Sequence, residues 1–288
     1  MKKTIIIAFL GVFASLLPSC IKDDRDDCPS GLYIQLDWIN TAPRSNQEQV
    51  NLSVTPVDFE WEETDLTSGT YGRYVDLIPY NYRIVGWEDG ENISIAGDTV
   101  TLATGPYDYA LEPSVFGGGS ALAEVYPDRN NQILHLPMRQ QTRPLCIRVF
   151  FTGYGVPAVQ ELEAVLEGVT IQRKINNAFA PADGNARPPA IQSGSARYYF
   201  GMEEDHWYAT KRLIGVDGGS SQELTLVATF PGGHTDTVTL DVTGDMFGYH
   251  TQDVKNPWCI TLTVDITELL IMTITDWYAG TDSWIVAE

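Results

Sequence analysis

The clearest fold signal in the chain is the stretch of residues 222–242, which reads QELTLVATFPGGHTDTVTLDV. Polar and apolar residues alternate along both of its arms, and a period of two is typical of β-strands with one buried face. The group Pro231-Gly232-Gly233-His234 stands between the two arms and is typical of a turn. The stretch therefore predicts a β-hairpin.

The same pattern extends outward from this hairpin over most of the chain. Runs rich in aromatic and β-branched residues recur, and turn-forming groups such as Phe116-Gly117-Gly118-Gly119 separate them. Short strands without intervening helical patterns predict an all-β protein made of antiparallel β-sandwiches. The predicted strands span residues 32–38, 50–57, 71–78, 81–87, 92–96, 99–103, 121–126, 145–151, 196–201, 222–230, 235–242, 258–266 and 269–274.

Two segments of the second half are less regular. Residues 160–169 have apolar side chains at positions 162, 165, 166 and 169, which is a helical spacing, although a strand over residues 164–171 fits equally well. Residues 176–195 are rich in Pro, Gly, Asn and Ala and predict a long loop.

The length of 288 residues suggests more than one hydrophobic core. The polar, proline-bearing group Gln140-Gln141-Thr142-Arg143-Pro144 precedes a new predicted strand and is the best candidate for a boundary. We therefore predict two tandem β-sandwich domains, over residues 31–140 and 141–288. We also expect proteases to cut first near Gln140–Arg143 or within residues 176–195.

The N-terminus has the features of an export signal. Lys2 and Lys3 precede an apolar run over residues 4–17, which is too short to span a bilayer permanently. The run ends in Leu17-Pro18-Ser19-Cys20, which resembles a lipobox, the site where the thiol of Cys20 is diacylated before cleavage. Residues 1–19 are therefore predicted to be a signal peptide, and Cys20 is predicted to carry the lipid.

Residues 20–30 form a charged tether that has too few apolar residues to pack. Lys22, Asp23 and Asp24 resemble the signal that sends Bacteroidetes lipoproteins to the outer face of the outer membrane. The alternative is that this charge only solvates the tether. The first interpretation predicts a protein that is lipid-anchored in the outer membrane and faces the cell exterior.

The composition excludes one class of partner. The formal net charge is −20, and binding to nucleic acid depends on neutralising phosphates with Lys and Arg. The same charge gives no attraction to anionic lipid headgroups. We therefore expect no nucleic-acid partner, and we expect the lipid on Cys20 to be the only membrane anchor.

The sequence contains no recognisable catalytic motif. It has no G-x-S-x-G, H-E-x-x-H, phosphate-loop or dinucleotide-binding pattern, and its four histidines are scattered. The cluster Glu203-Glu204-Asp205-His206 is best explained as charge on a surface loop. We therefore predict no enzyme activity, no cofactor and no metal site. Apart from Cys20, the cysteines are Cys28, Cys146 and Cys259, and the last two either form a disulfide or remain buried thiols.

Two further features bear on ligands and modification. Of the seven tryptophans, Trp38 and Trp258 lie in or beside predicted strands and are expected in the core. The others lie near turns or charged residues and either pack at the ends of the sandwiches, which is the commoner outcome, or are exposed for stacking on sugar rings: Trp61, Trp87, Trp207, Trp277 and Trp284. The tripeptides Asp98-Thr99-Val100 and Asp236-Thr237-Val238 resemble the acceptor of Bacteroidetes O-glycosylation, which makes Thr99 and Thr237 candidate sites.

A family resemblance rests on several short motifs taken together. They are Cys20 with its acidic tether and Asp27-Cys28-Pro29, the strand ending in Asp37-Trp38, the strand of residues 145–151 with the stretch 161–169 ending in Gly168-Val169, and the tail Ile274-Thr275-Asp276-Trp277-Tyr278-Ala279-Gly280. They resemble the Bacteroidetes fimbrillin superfamily, in particular its FimB/Mfa-type accessory and anchor lipoproteins. The resemblance implies two transthyretin-like β-sandwiches and a structural role in surface fimbriae.

The resemblance also implies a mode of assembly. Fimbrial subunits of this type polymerise by β-strand complementation, after proteolysis at an Arg has opened a groove in the stalk subunits. This chain has Arg25 and Arg44, but cleavage at Arg44 would release the protein from its anchor. We therefore predict a fimbrial anchor or accessory subunit that contacts other fimbrial subunits. The apolar segment 269–288 is the candidate for an exchangeable terminal strand, and the alternative is that it is a central strand of the second sandwich, covered by its own domain. The alternative function is that of a surface glycan-binding lipoprotein.

Overall fold

The structure is a computed structural model of the protein. It describes residues 29–39, 49–58, 64–69, 71–127, 131–153, 159–175, 190–251, 256–268 and 270–281. Strands account for most of these residues. The strands of the first half are β1 (Ser30–Trp38), β2 (Gln49–Pro56), β3 (Thr64–Gly69), β4 (Gly72–Leu77), β5 (Asn81–Trp87), β6 (Ile93–Ala96), β7 (Thr99–Leu102), β8 (Gly117–Glu124) and β9 (Gln132–Gln140).

The strands of the second half are β10 (Arg143–Gly153), β11 (Glu161–Lys174), β12 (Gln192–Tyr199), β13 (Gly201–Glu203), β14 (His206–Leu213), β15 (Glu223–Thr229), β16 (Thr235–Asp241), β17 (Trp258–Ile266) and β18 (Met272–Thr281). Helical structure in the described residues is limited to single turns at Pro106–Asp108, Pro231–Gly233, Asp245–Phe247 and Gly248–Thr251. The all-β prediction is therefore confirmed, and the sheets are predominantly antiparallel.

Seven strands of the first half form a sheet that closes on itself, in the order β1-β4-β3-β2-β5-β8-β9. The closing strand is β1, which pairs antiparallel with β4 and parallel with β9. Its alternate residues Leu32, Ile34 and Leu36 are buried in the core inside the ring, as the period of a strand requires. Each of the seven strands therefore has a neighbouring strand on both sides.

The second half forms two open sheets. One has the order β13-β14-β10-β17-β18, and the other has the order β16-β15-β11-β7-β6 with β12 also paired to β11. In the first of these sheets β10 and β17 are parallel. The two sheets enclose a large core that includes Leu145, Leu166, Leu226 and Leu262. The predicted hairpin of residues 222–242 is confirmed, since β15 pairs antiparallel with β16 across the Pro231–Gly233 turn.

The hairpin β6–β7 belongs to the first half of the chain but pairs with β11 of the second half. Val85 and Phe116, which also precede residue 140, are buried in the second core. The closed sheet has no free edge to which the hairpin could add, so its pairing partner lies elsewhere. Strand pairing thus crosses residue 140, and the division into domains 31–140 and 141–288 stays a prediction.

The junction at Gln140–Arg143 is buried, and the expectation of an exposed linker there is wrong. Only two residues separate β9 from β10, and the side chains of Gln141, Thr142 and Arg143 are fully buried. The Arg143 guanidinium donates hydrogen bonds to the backbone carbonyls of Asn256 (2.9 Å) and Gly248 (3.2 Å). Backbone carbonyls thus accept hydrogen bonds from two nitrogens of the buried guanidinium, which offsets part of the cost of burying it.

The structure also tests the predictions for the two irregular segments of the second half. The helical interpretation of residues 160–169 is wrong, because β11 covers them as one long strand that pairs with β7, β12 and β15. A bulge at Gly168, whose φ is +72°, interrupts the register. The predicted loop is shorter than expected at its end, since β12 already begins at Gln192. Residues 176–189 lie outside the described residues.

Candidate partner-binding groove

A groove of about 520 Å³ lies between β16 and β18, the strands that end the two open sheets on the same side. Residues 238–240 of β16 and residues 272–277 of β18 line it. We refer to it as the edge groove. Among the described strands, β16 pairs only with β15 and β18 pairs only with β17. Two strands with one open edge each therefore face a common groove.

The floor of the edge groove is apolar. Val238 and Leu240 of β16 and Ile274 and Trp277 of β18 are half-buried and pack against the second core. Their positions follow from the period of two, because the half-buried residues of β16 alternate with exposed threonines. A segment that entered the groove would cover these side chains.

Carboxylates occupy two backbone donors of β18. The backbone N–H of Met272 donates to the carboxylate of Asp236 on β16 (2.6 Å), and the backbone N–H of Trp277 donates to the carboxylate of Asp276 (2.9 Å). An inward-pointing charge on an edge strand is a known protection against uncontrolled pairing. This role of Asp236 was not predicted from the sequence, although a charged residue at a half-buried position of the alternating pattern is a signal for it.

The apolar segment that begins at residue 269 was predicted to need cover. β18 begins at Met272, which is 5% exposed, whereas Ile271 just before the strand is 49% exposed. β17 covers one edge of β18, and the edge groove lies along its other side. Residue 269 and residues 282–288 lie outside the described part of the chain, so the prediction of an exchangeable strand over 269–288 stays a prediction.

Most of the predicted site residues of the N-terminus lie outside the described residues. These are Cys20, Lys22, Asp23, Asp24, Arg25, Cys28 and Arg44. The two candidate O-glycosylation sites lie far apart in different environments. Thr99 is half-buried at the start of β7, whereas Thr237 is exposed on β16.

Cys146 and Cys259 form a disulfide, which decides between the two alternatives that the sequence left open. They are direct partners in the parallel pair β10–β17, and their Cα atoms are 4.5 Å apart. Both side chains are buried in the second half of the molecule. The bridge therefore links the two central strands of one open sheet.

No family model and no curated protein matches the chain. Solved structures do match over most of its length. The chain shares its fold with adhesion and fimbrial proteins. A candidate adhesin from Bacteroides ovatus matches with a TM-score of 0.61 at 14% identity, over 80% of this chain and 89% of the other.

Two other solved structures extend this comparison. The fimbrial anchor protein Mfa2 from Porphyromonas gingivalis matches with a TM-score of 0.58 at 12% identity, over 88% of this chain and 98% of the other. A candidate polysaccharide-binding protein from Bacteroides thetaiotaomicron matches with a TM-score of 0.54 at 9% identity, over 88% and 99%. Identities this low establish a common fold. These neighbours are not enzymes by description.

The five tryptophans among the described residues are all buried or half-buried. Trp258 is buried as predicted, and Trp38 packs partly against the core of the closed sheet. Trp87, Trp207 and Trp277 are half-buried against the second core, whereas Trp61 and Trp284 lie outside the described residues. The strongly exposed aromatic residues are instead tyrosines, which the sequence analysis did not single out: Tyr71, Tyr74, Tyr107, Tyr199 and Tyr278.

The histidine-bearing acidic cluster lies where β13 and β14 join. His206 stacks on Phe150 with 5.0 Å between ring centroids, and its ring nitrogens lie near the carboxylates of Glu203 (3.7 Å) and Asp205 (3.0 Å). Within the described ranges, no group of three or more His, Cys, Asp or Glu side chains is arranged to hold a metal ion. Nor does any helix there have the length and apolar character to cross a membrane.

Proposed function

We propose that this protein is a lipid-anchored surface protein that attaches a fimbria to the outer membrane by accepting a β-strand from a neighbouring subunit. The observation that carries the proposal is the edge groove, in which two open strand edges flank an apolar floor. The fold shared with a fimbrial anchor protein and with candidate adhesins supports a role in adhesion at the cell surface.

Strand addition requires two kinds of contact. The main chain of the incoming strand forms hydrogen bonds with a sheet edge, and its alternate side chains fill pockets below. In the edge groove, β16 and β18 supply the edges, and Val238, Leu240 and Ile274 form the apolar surface for alternate side chains. Because Asp236 and Asp276 lie beside the groove, a strand flanked by Lys or Arg would be favoured.

The first half offers no equivalent position. β1 lies between β4 and β9, and its inward side chains are buried in the core. Displacing β1 would expose that core, so the accessible edges of an intact chain belong to the two open sheets among the described strands. This arrangement favours an anchor, which keeps its N-terminus attached to the membrane, over a stalk subunit that loses an N-terminal segment.

The groove can be tested in the bacterium that carries the gene. Ile274→Asp places a charge on the apolar floor and should release fimbriae from the cells into the medium, because the incoming strand would bury an unpaired carboxylate. Thr235→Asp adds the same charge on the exposed face of β16 and is the matched control. Fimbriae in medium and cell fractions are measured by immunoblot.

This experiment needs a folded variant. Ile274→Asp must first show a cooperative thermal transition close to that of the wild type; otherwise Leu240→Thr replaces it at the opposite wall. If a folded groove variant keeps as many fimbriae on its cells as the wild type does, strand addition at this groove is contradicted.

The membrane anchor has its own test. Cys20→Ala should abolish incorporation of a fatty-acid analogue, because no other predicted feature holds the chain durably in a membrane. Equal label on the wild type and the variant would overturn the lipid assignment. Replacing Lys22, Asp23 and Asp24 with Ala should keep the label but remove the protein from the surface, as read by protease treatment of intact cells.

A further inference from the structure

A second concavity is lined by strands of the closed sheet and shares no residue with the edge groove. It has a volume of about 440 Å³ and is formed by β2, β3, β4 and the end of β5. Its polar and aromatic side chains are Asn51, Asp65, Thr67, Arg73 and Trp87, and Leu52 and Leu66 complete the lining. We refer to it as the Trp87 pocket. Nothing in the proposed anchoring role uses these residues.

The strand register places these side chains next to one another. Trp87 of β5 is the direct partner of Asn51 of β2, and Asn51 is the direct partner of Thr67 of β3. Direct partners in antiparallel strands have Cβ atoms about 5 Å apart. An indole, an amide and a hydroxyl therefore form a row across three strands. Asp65 lies two residues from Thr67 and so faces the same side of the sheet.

Contacts around the pocket hold its polar groups in place. The Arg73 guanidinium donates a hydrogen bond to the backbone carbonyl of Thr67. The Asn51 side-chain amide donates to the carboxylate of Asp89 (2.8 Å), which fixes the orientation of the amide. Trp87 packs against the second core and is half-buried, so its ring is fixed as well. A site whose groups are already ordered loses less entropy on binding.

The mixture of groups decides the class of ligand. The lining contains a carboxylate as well as a guanidinium, and the chain has a net charge of −20, so an anionic ligand is disfavoured. A single carboxylate is too few for a metal ion, and the polar groups disfavour a purely apolar segment. An aromatic ring beside planar amide, carboxylate and guanidinium groups matches a neutral molecule with an apolar ring face and vicinal hydroxyls. We infer that the Trp87 pocket binds a neutral saccharide.

This inference differs from the glycan-binding interpretation of the sequence in its location. The sequence pointed equally to several tryptophans, including Trp277, whereas the structure places Trp277 in the edge groove among apolar neighbours. Trp87 instead lies in a concavity that amide, carboxylate and guanidinium groups also line. A saccharide site here would let an anchored protein bind glycans of the cell surface or of a host, independently of fimbrial attachment.

The test uses the full chain purified in detergent and isothermal titration calorimetry. The probes are the neutral hexasaccharides of glucose (β-1,4 and α-1,4), xylose, mannose and N-acetylglucosamine, with a sulfated hexasaccharide as the anionic comparison. We expect at least one neutral probe to bind, and Asp65→Asn and Asn51→Ala each to weaken its binding by about tenfold. Asp65 is exposed, so its replacement leaves the fold intact.

Two control variants locate the binding. Asp76→Asn changes an exposed carboxylate on β4 outside the pocket, and Trp277→Phe changes the edge groove; both should bind as the wild type does. Failure of every neutral probe to bind would overturn the inference, as would preference for the sulfated probe. Binding that is lost in Trp277→Phe but kept in Asp65→Asn would also overturn it. None of these results depends on fimbrial attachment, so the two proposals fail separately.

Discussion

In the closed sheet of the first half every strand has a neighbour on both sides, whereas β6, β13, β16 and β18 end the two open sheets and β12 pairs only with β11 among the described strands. A closed sheet presents fewer unpaired backbone donors and acceptors to another chain than an open sheet does, although β3 and β4 pair directly only at Gly69 and Gly72. The open sheets keep rows of such groups, and two of these rows flank an apolar groove. The edges at which we propose strand addition therefore belong to the open sheets.

The two halves also differ in what they bury. The core of the closed sheet is a cluster of apolar side chains, whereas the second half and the junction bury several ionisable groups. The Arg173 guanidinium is fully buried and donates to the backbone carbonyls of Ile214 and Gln141 and to the Gln141 side chain. Burial lowers the pKa of Arg173 to about 10, so it remains charged at neutral pH. Because Gln141 lies between β9 and β10, this charge ties the junction to β11.

The largest expected effect comes from the core of the closed sheet. Ile34→Ala in β1 should lower the free energy of unfolding by about 4 kcal/mol, because its fully buried side chain leaves a cavity between paired strands. The matched control is Ile133→Ala on the neighbouring strand β9. The side chain of Ile133 is 57% exposed, so this substitution should change the free energy of unfolding by less than about 0.5 kcal/mol. Urea unfolding followed by circular dichroism measures both.

The form of that unfolding transition shows whether the two halves of the molecule unfold together. Since Val85 and Phe116 of the first half lie in the second core, we expect Ile34→Ala to shift the whole unfolding curve. Two separated transitions, of which only one moves, would show instead that the halves unfold independently.

The second prediction concerns the open sheets. Replacing both Cys146 and Cys259 with Ala should lower the free energy of unfolding by about 3 kcal/mol, because the disulfide closes a loop of over a hundred residues in the unfolded chain. Reduction of the wild type with dithiothreitol should have a similar effect and should leave the double variant unchanged. Thiol titration of the unfolded, unreduced protein checks the disulfide assignment. If the wild type shows two more free thiols than the double variant does, Cys146 and Cys259 are not bridged.

The third prediction depends on pH. Burial raises the pKa of Asp217, but hydrogen bonds from Ser193, Ser220 and the backbone N–H groups of Gly219 and Ala190 outweigh burial and lower it to about 2. The folded-state pKa lies below the ordinary value of 3.8, so this stabilisation is present above pH ~4 and is lost as the pH falls towards 2.

Asp217→Asn should therefore lower the free energy of unfolding by about 2 kcal/mol at pH 7, and the difference should shrink at pH 2.5. The control is Asp76→Asn, whose side chain is exposed on β4. Urea titrations at the two pH values measure both variants. An Asp217→Asn difference that stays constant with pH would contradict the assigned role of the carboxylate.

The smallest expected effect concerns the contact between the two halves. Asp98 forms ion pairs with Arg83 of β5 (2.9 Å) and with Lys174 of β11. Burial raises the pKa of Asp98, but Lys174 and Arg83 outweigh it, so the pKa is lowered. Asp98→Asn should lower the free energy of unfolding by about 1 kcal/mol, less at high salt because both cations are half-exposed. Asp108→Asn, on an exposed turn, should have no measurable effect.

Much of the fold could be predicted from the pattern of single strands. β1, β5, β7, β10, β15, β16 and β17 lie close to their predicted positions, because each alternates clearly and is bounded by turn residues. β11 could not be distinguished from a helix, since residues 162–169 satisfy both periods. Only the pairing of β11 with three other strands shows that these residues form a strand. Partners that are distant in the chain leave no pattern in the local sequence.

The candidate sites were predictable to different degrees. Apolar alternation in residues 235–242 and an apolar tail after residue 269 indicated strands that need cover, but not that β16 and β18 lie on the same side of a sandwich. Trp87 was one of five candidates for exposure, and its neighbours Asn51, Asp65 and Arg73 belong to other strands. A site made of residues from several strands exists only once the register is fixed.

The sequence alone predicts the strand content, the hairpin of residues 222–242 and an exported, lipid-bearing N-terminus, because periodicity, turn residues and a lipobox are local properties. The tertiary structure alone decided that the first sheet closes on itself, that Gln140–Arg143 is buried, that Cys146 faces Cys259, and that β6–β7 crosses to the second half. These outcomes depend on which strands become neighbours. That choice is set by the burial of whole faces and the satisfaction of backbone hydrogen bonds, which no short stretch of sequence contains.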